Sequence, residues 1–212
     1  MKKLLFLMLS MTFVLAACED KDVTLTKGLI GTWYGTTQVD GEETDMVCQF
    51  FADENNPTTG KYVETLSYYD EVEEYGITYA LPYNVYVGGD FIVKDGYVKI
   101  TYDTASVGVI ADDIAIRDYI TTVLEYDLGE QGEKHYADYD PEELIKNYTT
   151  GTNLELSELW ALAYNDSNDG KGDGYSDLQV DAETMSYHSA DLGKIEFKRS
   201  PKNLFEKYPV ED

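Results

Sequence analysis

The chain is poor in the residues that carry most enzyme chemistry. Its 212 residues include 2 histidines and 2 cysteines. No His-Glu-x-x-His pair exists, which excludes a helical zinc-protease site. Gly-x-Ser-x-Gly, Ser-x-x-Lys and the phosphate-cradling Gly-Lys-Ser/Thr are also missing, so the common serine-hydrolase and P-loop chemistries are excluded with them. His188 stands alone near a strand end and reads as a surface or hydrogen-bonded residue. Positive charge is scarce too. There are 16 lysines and arginines against 41 acids, a net charge of −25. Such a chain repels phosphate backbones, so nucleic acid is excluded as a partner. Long apolar runs are confined to one place, Leu4 to Ala17.

That run follows Met1-Lys2-Lys3 and ends at Cys18. A basic start, an apolar core and small residues before a cut make a secretory signal peptide over 1–17. Leu15-Ala16-Ala17-Cys18 resembles the bacterial lipobox. The resemblance implies cleavage before Cys18, lipidation of its thiol, and attachment to the outer membrane. The acids Glu19, Asp20 and Asp22 follow at once, and 18–27 reads as an acidic tether. The cluster resembles the surface-export signal of Bacteroides-group lipoproteins, which implies display at the cell surface. With Cys18 lipidated, Cys48 has no disulfide partner. It lies in the alternation Met46-Val47-Cys48-Gln49-Phe50 and reads as a buried, inert thiol.

Tyrosine is abundant, at 19 residues, and favours half-buried pleated surfaces. From Leu29 the apolar pattern has mostly period two, as half-buried strands do. Strands are predicted at 33–38, 46–51, 60–69, 77–87 (bent at Pro82), 91–94 and 97–102. Asp95-Gly96 marks a hairpin between the last two. The rhythm then breaks. Ile110, Ile114, Ile116, Ile120, Val123 and Leu124 fit a helical stripe that Asp112 and Asp113 could cap. Asp140-Pro141-Glu142-Glu143 is a helix start: a capping acid, proline in the first turn, then acids at the positive dipole end. Residues 105–155 therefore read as a partly helical insertion or lid. Strands resume at 159–165, 176–181, 184–188 and 194–199, and 201–212 form a tail. Many short strands in one domain, 28–200, predict a mainly β sandwich or barrel.

The two ends of that domain carry a second resemblance. Leu29-Ile30-Gly31-Thr32-Trp33 opens the first strand, and Ile195-Glu196-Phe197-Lys198-Arg199 closes the last. This pattern is similar to that of the lipocalins (calycins), with Gly-x-Trp on the first strand and a cation on the last. The resemblance implies an antiparallel up-and-down barrel. Trp33 would plug its closed end, Gly31 would give the tight turn, and Arg199 (or Lys198) would stack over the indole. The family's middle Thr-Asp-Tyr motif has no counterpart here. The resemblance also implies a small apolar or amphipathic ligand in the barrel. Strand alternation offers Tyr62, Tyr68, Tyr79, Tyr83 and Tyr102 as its lining, and these should share one concave face.

The acid- and glycine-rich run from Asn165 to Asp177 resembles a calcium loop, with Asp169, Asp173 and Asp177 as candidate ligands. No register puts a carboxylate at the twelfth place, so a polar hairpin between strands is the preferred reading. Asp103-Thr104-Ala105 matches a short O-glycosylation pattern of exported Bacteroides-group proteins, which would modify Thr104. The first expectation is thus a non-enzymatic, membrane-anchored binder. The second is a surface module for carbohydrate or an envelope protein, with a filled core. The third is a carbohydrate-active enzyme with two facing carboxylates.

Overall fold

The structure, a computed structural model, describes residues 20–39, 42–131, 140–169, 176–189 and 193–200. The predicted signal peptide 1–17, Cys18 and the tail 201–212 lie outside the described residues. Eight strands form one antiparallel sheet: β1 (Gly31–Val39), β2 (Glu42–Ala52), β3 (Thr59–Glu74), β4 (Ile77–Lys94), β5 (Tyr97–Ala111), β6 (Ser176–Val180), β7 (Thr184–Ser189) and β8 (Gly193–Ser200). Their spatial order is β5-β4-β3-β2-β1-β8-β7-β6, so every chain neighbour pairs except β5 and β6, and β1 pairs β8. The sheet curls into a half-barrel of the lipocalin-like, up-and-down kind, with its seam between β5 and β6. Among the described residues three helices accompany it: α1 (Lys21–Leu29), α2 (Asp113–Gln131) and α3 (Pro141–Asp169).

Alternation decides which side chains face inward. Trp33, Cys48, Glu64 and Val87 are register partners across β1 to β4 and are all buried. Met46, Leu66, Val85 and Val109 form the next inward row. Two tight turns, Tyr75-Gly76 and Asp95-Gly96, have positive φ at both residues, the twist that joins strands without splaying them. Pro82 is tolerated inside β4 because its carbonyl edge faces Asp112, beyond the end of β5, where no ladder donor is needed.

Four sequence expectations are corrected. Residues 21–29 are helix, not tether: the Asp20 carboxylate caps α1 by accepting from Asp22 N at 2.9 Å, and Leu29 is buried below Trp33. The predicted strands 77–87 and 91–94 are one strand, β4. Gly88 and Gly89 do not break it, because at Gly89 a Cβ would lie 2.4 Å from the Thr101 carbonyl, so a close β5 approach wants glycine there. The insertion starts later than 105, since β5 runs on to Ala111. The predicted strand 159–165 is the last part of α3. Its inward residues, Ile145, Tyr148, Leu156, Trp160 and Tyr164, recur at helical spacing. Asp112 and Asp140 do cap α2 and α3, accepting from Ile114 N, Ala115 N and Glu142 N.

The seam is covered by α3, which lies along β5. The Asn168 side chain accepts from Tyr102 N at 2.8 Å and donates to Tyr102 O at 2.7 Å, as a strand partner would. Asn153 likewise accepts from Ala111 N at 2.9 Å. An amide thus satisfies an edge that no strand pairs. Asn168→Ala should cost about 1–3 kcal/mol, the penalty for stranding a part-buried donor and acceptor. Urea unfolding checks it, and a loss under about 0.5 kcal/mol would mean that water replaces the clamp.

Candidate functional site

The five tyrosines read as a lining do share the concave face. Register puts Tyr62 and Tyr102 opposite each other across Gly89, and Tyr68 beside Tyr83. Tyr62 and Tyr83 are buried, and Tyr68, Tyr79 and Tyr102 are partly buried against the same core. Helices α2 and α3 supply the opposite wall. Tyr119 meets Tyr79 at 5.0 Å and Tyr148 at 5.5 Å between ring centroids. Trp160 lies 6.2 Å from Tyr68, and its indole N–H reaches the Tyr83 hydroxyl at 3.4 Å. The face is therefore occupied by the insertion itself.

At the centre stands a residue the sequence reading missed, Glu64. It is 3% exposed. Tyr62 Oη donates to its Oε2 at 2.5 Å, and Tyr164 Oη, from α3, donates to Oε1 at 2.7 Å. Tyr102 Oη reaches Oε2 at 3.4 Å. Burial pushes the Glu64 carboxyl above its ordinary range, and the hydroxyl hydrogen bonds oppose that shift. Such a group can accept hydrogen bonds from a polar head. The tyrosine rings around it can pack against an apolar body. Above it, Tyr79 Oη is buried without a hydrogen-bond partner among the described residues, in a wall of aromatic rings. The missed signal was parity: Glu64 falls on the inward side between Tyr62 and Leu66, where a charged residue breaks the apolar alternation.

Cys48 is the cross-strand neighbour of Glu64 and is buried. Burial first, then the Glu64 charge, push its thiol well above the usual range. Folded protein should therefore react with a thiol reagent at least about a hundred-fold more slowly than protein in denaturant, since modification waits on opening. Equal rates, followed by absorbance, would place the thiol at the surface.

Where β1 pairs β8, Arg199 covers Trp33, with Cζ 4.1 Å from the ring centroid. Its guanidinium donates to Gly28 O at 2.7 Å, Ile30 O at 2.8 Å and Ala182 O at 2.8 Å. Gly31 has φ +128°, and a Cβ there would lie 2.5 Å from Arg199 Nη1. Lys198 is exposed instead, on the outer face opposite Tyr34. Thr104 lies on an excursion of β5 opposite Val87, where the Ser106 hydroxyl accepts from Gly88 N at 2.8 Å in place of a ladder carbonyl. It is half-buried.

The run 165–177 is not a hairpin between two strands, because α3 extends through Asp169. Residues 170–175, and the side chains of Asp169 and Asp177, lie outside the described residues, and with them the three candidate calcium ligands. Among the described residues no three His, Cys, Asp or Glu gather as a metal site. No described helix is long and apolar enough to cross a membrane. Compared with protein-family profiles, curated proteins and solved structures, the chain has no significant match.

Proposed function

We propose that this is a non-enzymatic outer-membrane lipoprotein, lipidated on Cys18 and exposed at the cell surface, whose lipocalin-like half-barrel binds a small amphipathic ligand on its concave face. The observation that carries this reading is the tyrosine-walled face built around Glu64. Its polar centre suits a head group that donates hydrogen bonds, and its rings suit an apolar tail. Because α2 and α3 occupy the face, the ligand enters by displacing them, and Tyr164 gives up Glu64 to the head group. A lid of this kind needs an outer side that tolerates a new position. The outer side of α3 carries Leu154, Leu159 and Leu162, 63%, 56% and 65% exposed.

Those leucines also favour a second reading, a surface module that docks an envelope partner on α3 while the barrel stays filled. Native mass spectrometry of the full-length protein extracted from its membrane separates the two. A stoichiometric amphiphile, or saturable uptake of an added lysolipid, supports the binder. A mass without adduct that takes up no lysolipid overturns it in favour of the module. The anchor has its own test. Cys18→Ala should move the protein out of the membrane fraction, and a variant that stays there would remove the lipid from the account.

A further inference from the structure

A second site lies outside the barrel. At the lower end of the seam, a cleft of about 530 Å³ opens between α1, the β4–β5 hairpin and the edge of β6 and β7. This is within the size of small-molecule sites, roughly 300–1,000 Å³. Its charge runs against that of the whole chain. Only 16 of the 212 residues are lysine or arginine and 2 are histidine, yet Lys21, Lys194 and His188 all line this cleft. Among the described residues, the one carboxylate in its wall is Asp95.

The three groups are placed by the fold. His188 and Lys194 are direct cross-strand partners on β7 and β8, which sets their Cβ atoms about 5 Å apart on one face. Side by side, the two can both donate to one anion. Lys194 is also paired with Glu196, which holds its stem on this face. Lys21 comes from the first turn of α1. The neighbouring Asp22 carboxylate accepts from Asp95 N and Gly96 N, both at 2.8 Å, and so locks α1 to the hairpin. Lys21 Nζ then passes over Gly96, where a Cβ would lie 3.2 Å away. The ammonium thus lies at the rim of the cleft, close over the glycine.

The other walls are neutral. Tyr97 is 51% exposed and offers a ring face, while Gln179 and Ser186, cross-strand partners, offer donors and acceptors. Cations, a ring platform and neutral polar groups together match a hydroxylated ring bearing one acid group. We propose that this cleft binds a small acidic sugar, its carboxylate, phosphate or sulfate among Lys21, His188 and Lys194, and its ring on Tyr97. The site does not depend on the concave face or its ligand.

Isothermal titration of the full-length protein in detergent tests it, with glucuronic acid, glucose 6-phosphate, glucose and inorganic phosphate as probes. At least one acidic sugar should bind about ten-fold tighter than glucose and than phosphate, as one charge-assisted contact set implies. That binding should weaken with salt. Lys21→Gln and Lys194→Gln should each weaken it about ten-fold, whereas Lys61→Gln, whose ammonium pairs with Asp90 elsewhere, should leave it unchanged. The far-ultraviolet circular dichroism of each variant checks folding. Three results would overturn the proposal: no saturable binding of either acidic sugar, phosphate binding as tightly as the sugars, or unchanged binding in folded Lys21→Gln and Lys194→Gln.

Discussion

Glu64→Gln should make the protein more stable than the wild type at pH 8, with the advantage shrinking toward pH 4. The carboxyl is buried, and burial raises its folded-state pKa above the ordinary value of 4.5. The folded state therefore binds the proton more tightly than the unfolded chain does. Stability from this group is fully present below the unfolded pKa and falls as pH rises through the folded one. Each unit between the two pKa values removes about 1.4 kcal/mol at high pH. A carboxamide keeps an acceptor for the tyrosine hydroxyls and carries no charge to desolvate. The wild-type profile also contains carboxylates of the opposite sign. Backbone N–H donors from Asn55 and Glu183 hold Asp53 and Asp181 below the usual range, and their contribution is lost as pH falls. Those groups are the same in both proteins, so the difference between the two urea-denaturation profiles isolates Glu64. A difference that is flat from pH 4 to pH 8 would mean that the carboxyl is not buried as described.

The second large effect lies where β1 meets β8. Trp33→Ala should cost about 3–5 kcal/mol, because a fully buried indole leaves both lost transfer energy and a cavity. The indole also donates to Leu29 O at 2.7 Å and carries the Arg199 guanidinium on its face. Arg199→Lys keeps the charge but loses the planar fork that reaches Gly28, Ile30 and Ala182 together, so it should retain only part of the stability. A loss under about 1 kcal/mol for Trp33→Ala would show that this end of the barrel is not held by the plug.

Much of the β framework was legible because period-two alternation is a local signal. Trp33 to Gln38 and Lys194 to Arg199 read as strands from their own residues, and each lies within a strand of the structure. The capping acids Asp112 and Asp140 were legible for the same reason. What failed depended on distant partners. Gly88-Gly89 looks like a strand break until β5 is known to approach it. Leu159 to Tyr164 is a short unbroken apolar run that fits a buried strand as well as a helix, and only the longer series from Ile145 to Tyr164 shows the helical period. The tether reading of 18–27 failed because α1 is stabilised by Leu29 under Trp33 and by the Asp22 clamp on a hairpin 73 residues away.

The site was half legible. The five lining tyrosines follow from strand parity alone. Their opposite wall does not, because Tyr119, Tyr148, Trp160 and Tyr164 reach them only once the insertion folds back on the sheet. Glu64 was hidden among 41 acidic residues, and its inward parity was the one clue. Asn168 was read within a loop, whereas its task is to pair the backbone of β5.

The claim that most needs testing is that the insertion is a lid over a ligand site. The chain has 2 tryptophans, one on each side of the question. Trp33 is fully buried under Arg199, and Trp160 rides on α3 against Tyr68 and Tyr83. Tryptophan emission during titration with a monomeric lysolipid therefore reports on α3. A movable lid gives a saturable change near one lysolipid per protein, with acrylamide quenching of Trp160 altered and Trp33 still protected. Emission and quenching that stay constant across the titration would contradict it and leave α2 and α3 as permanent core.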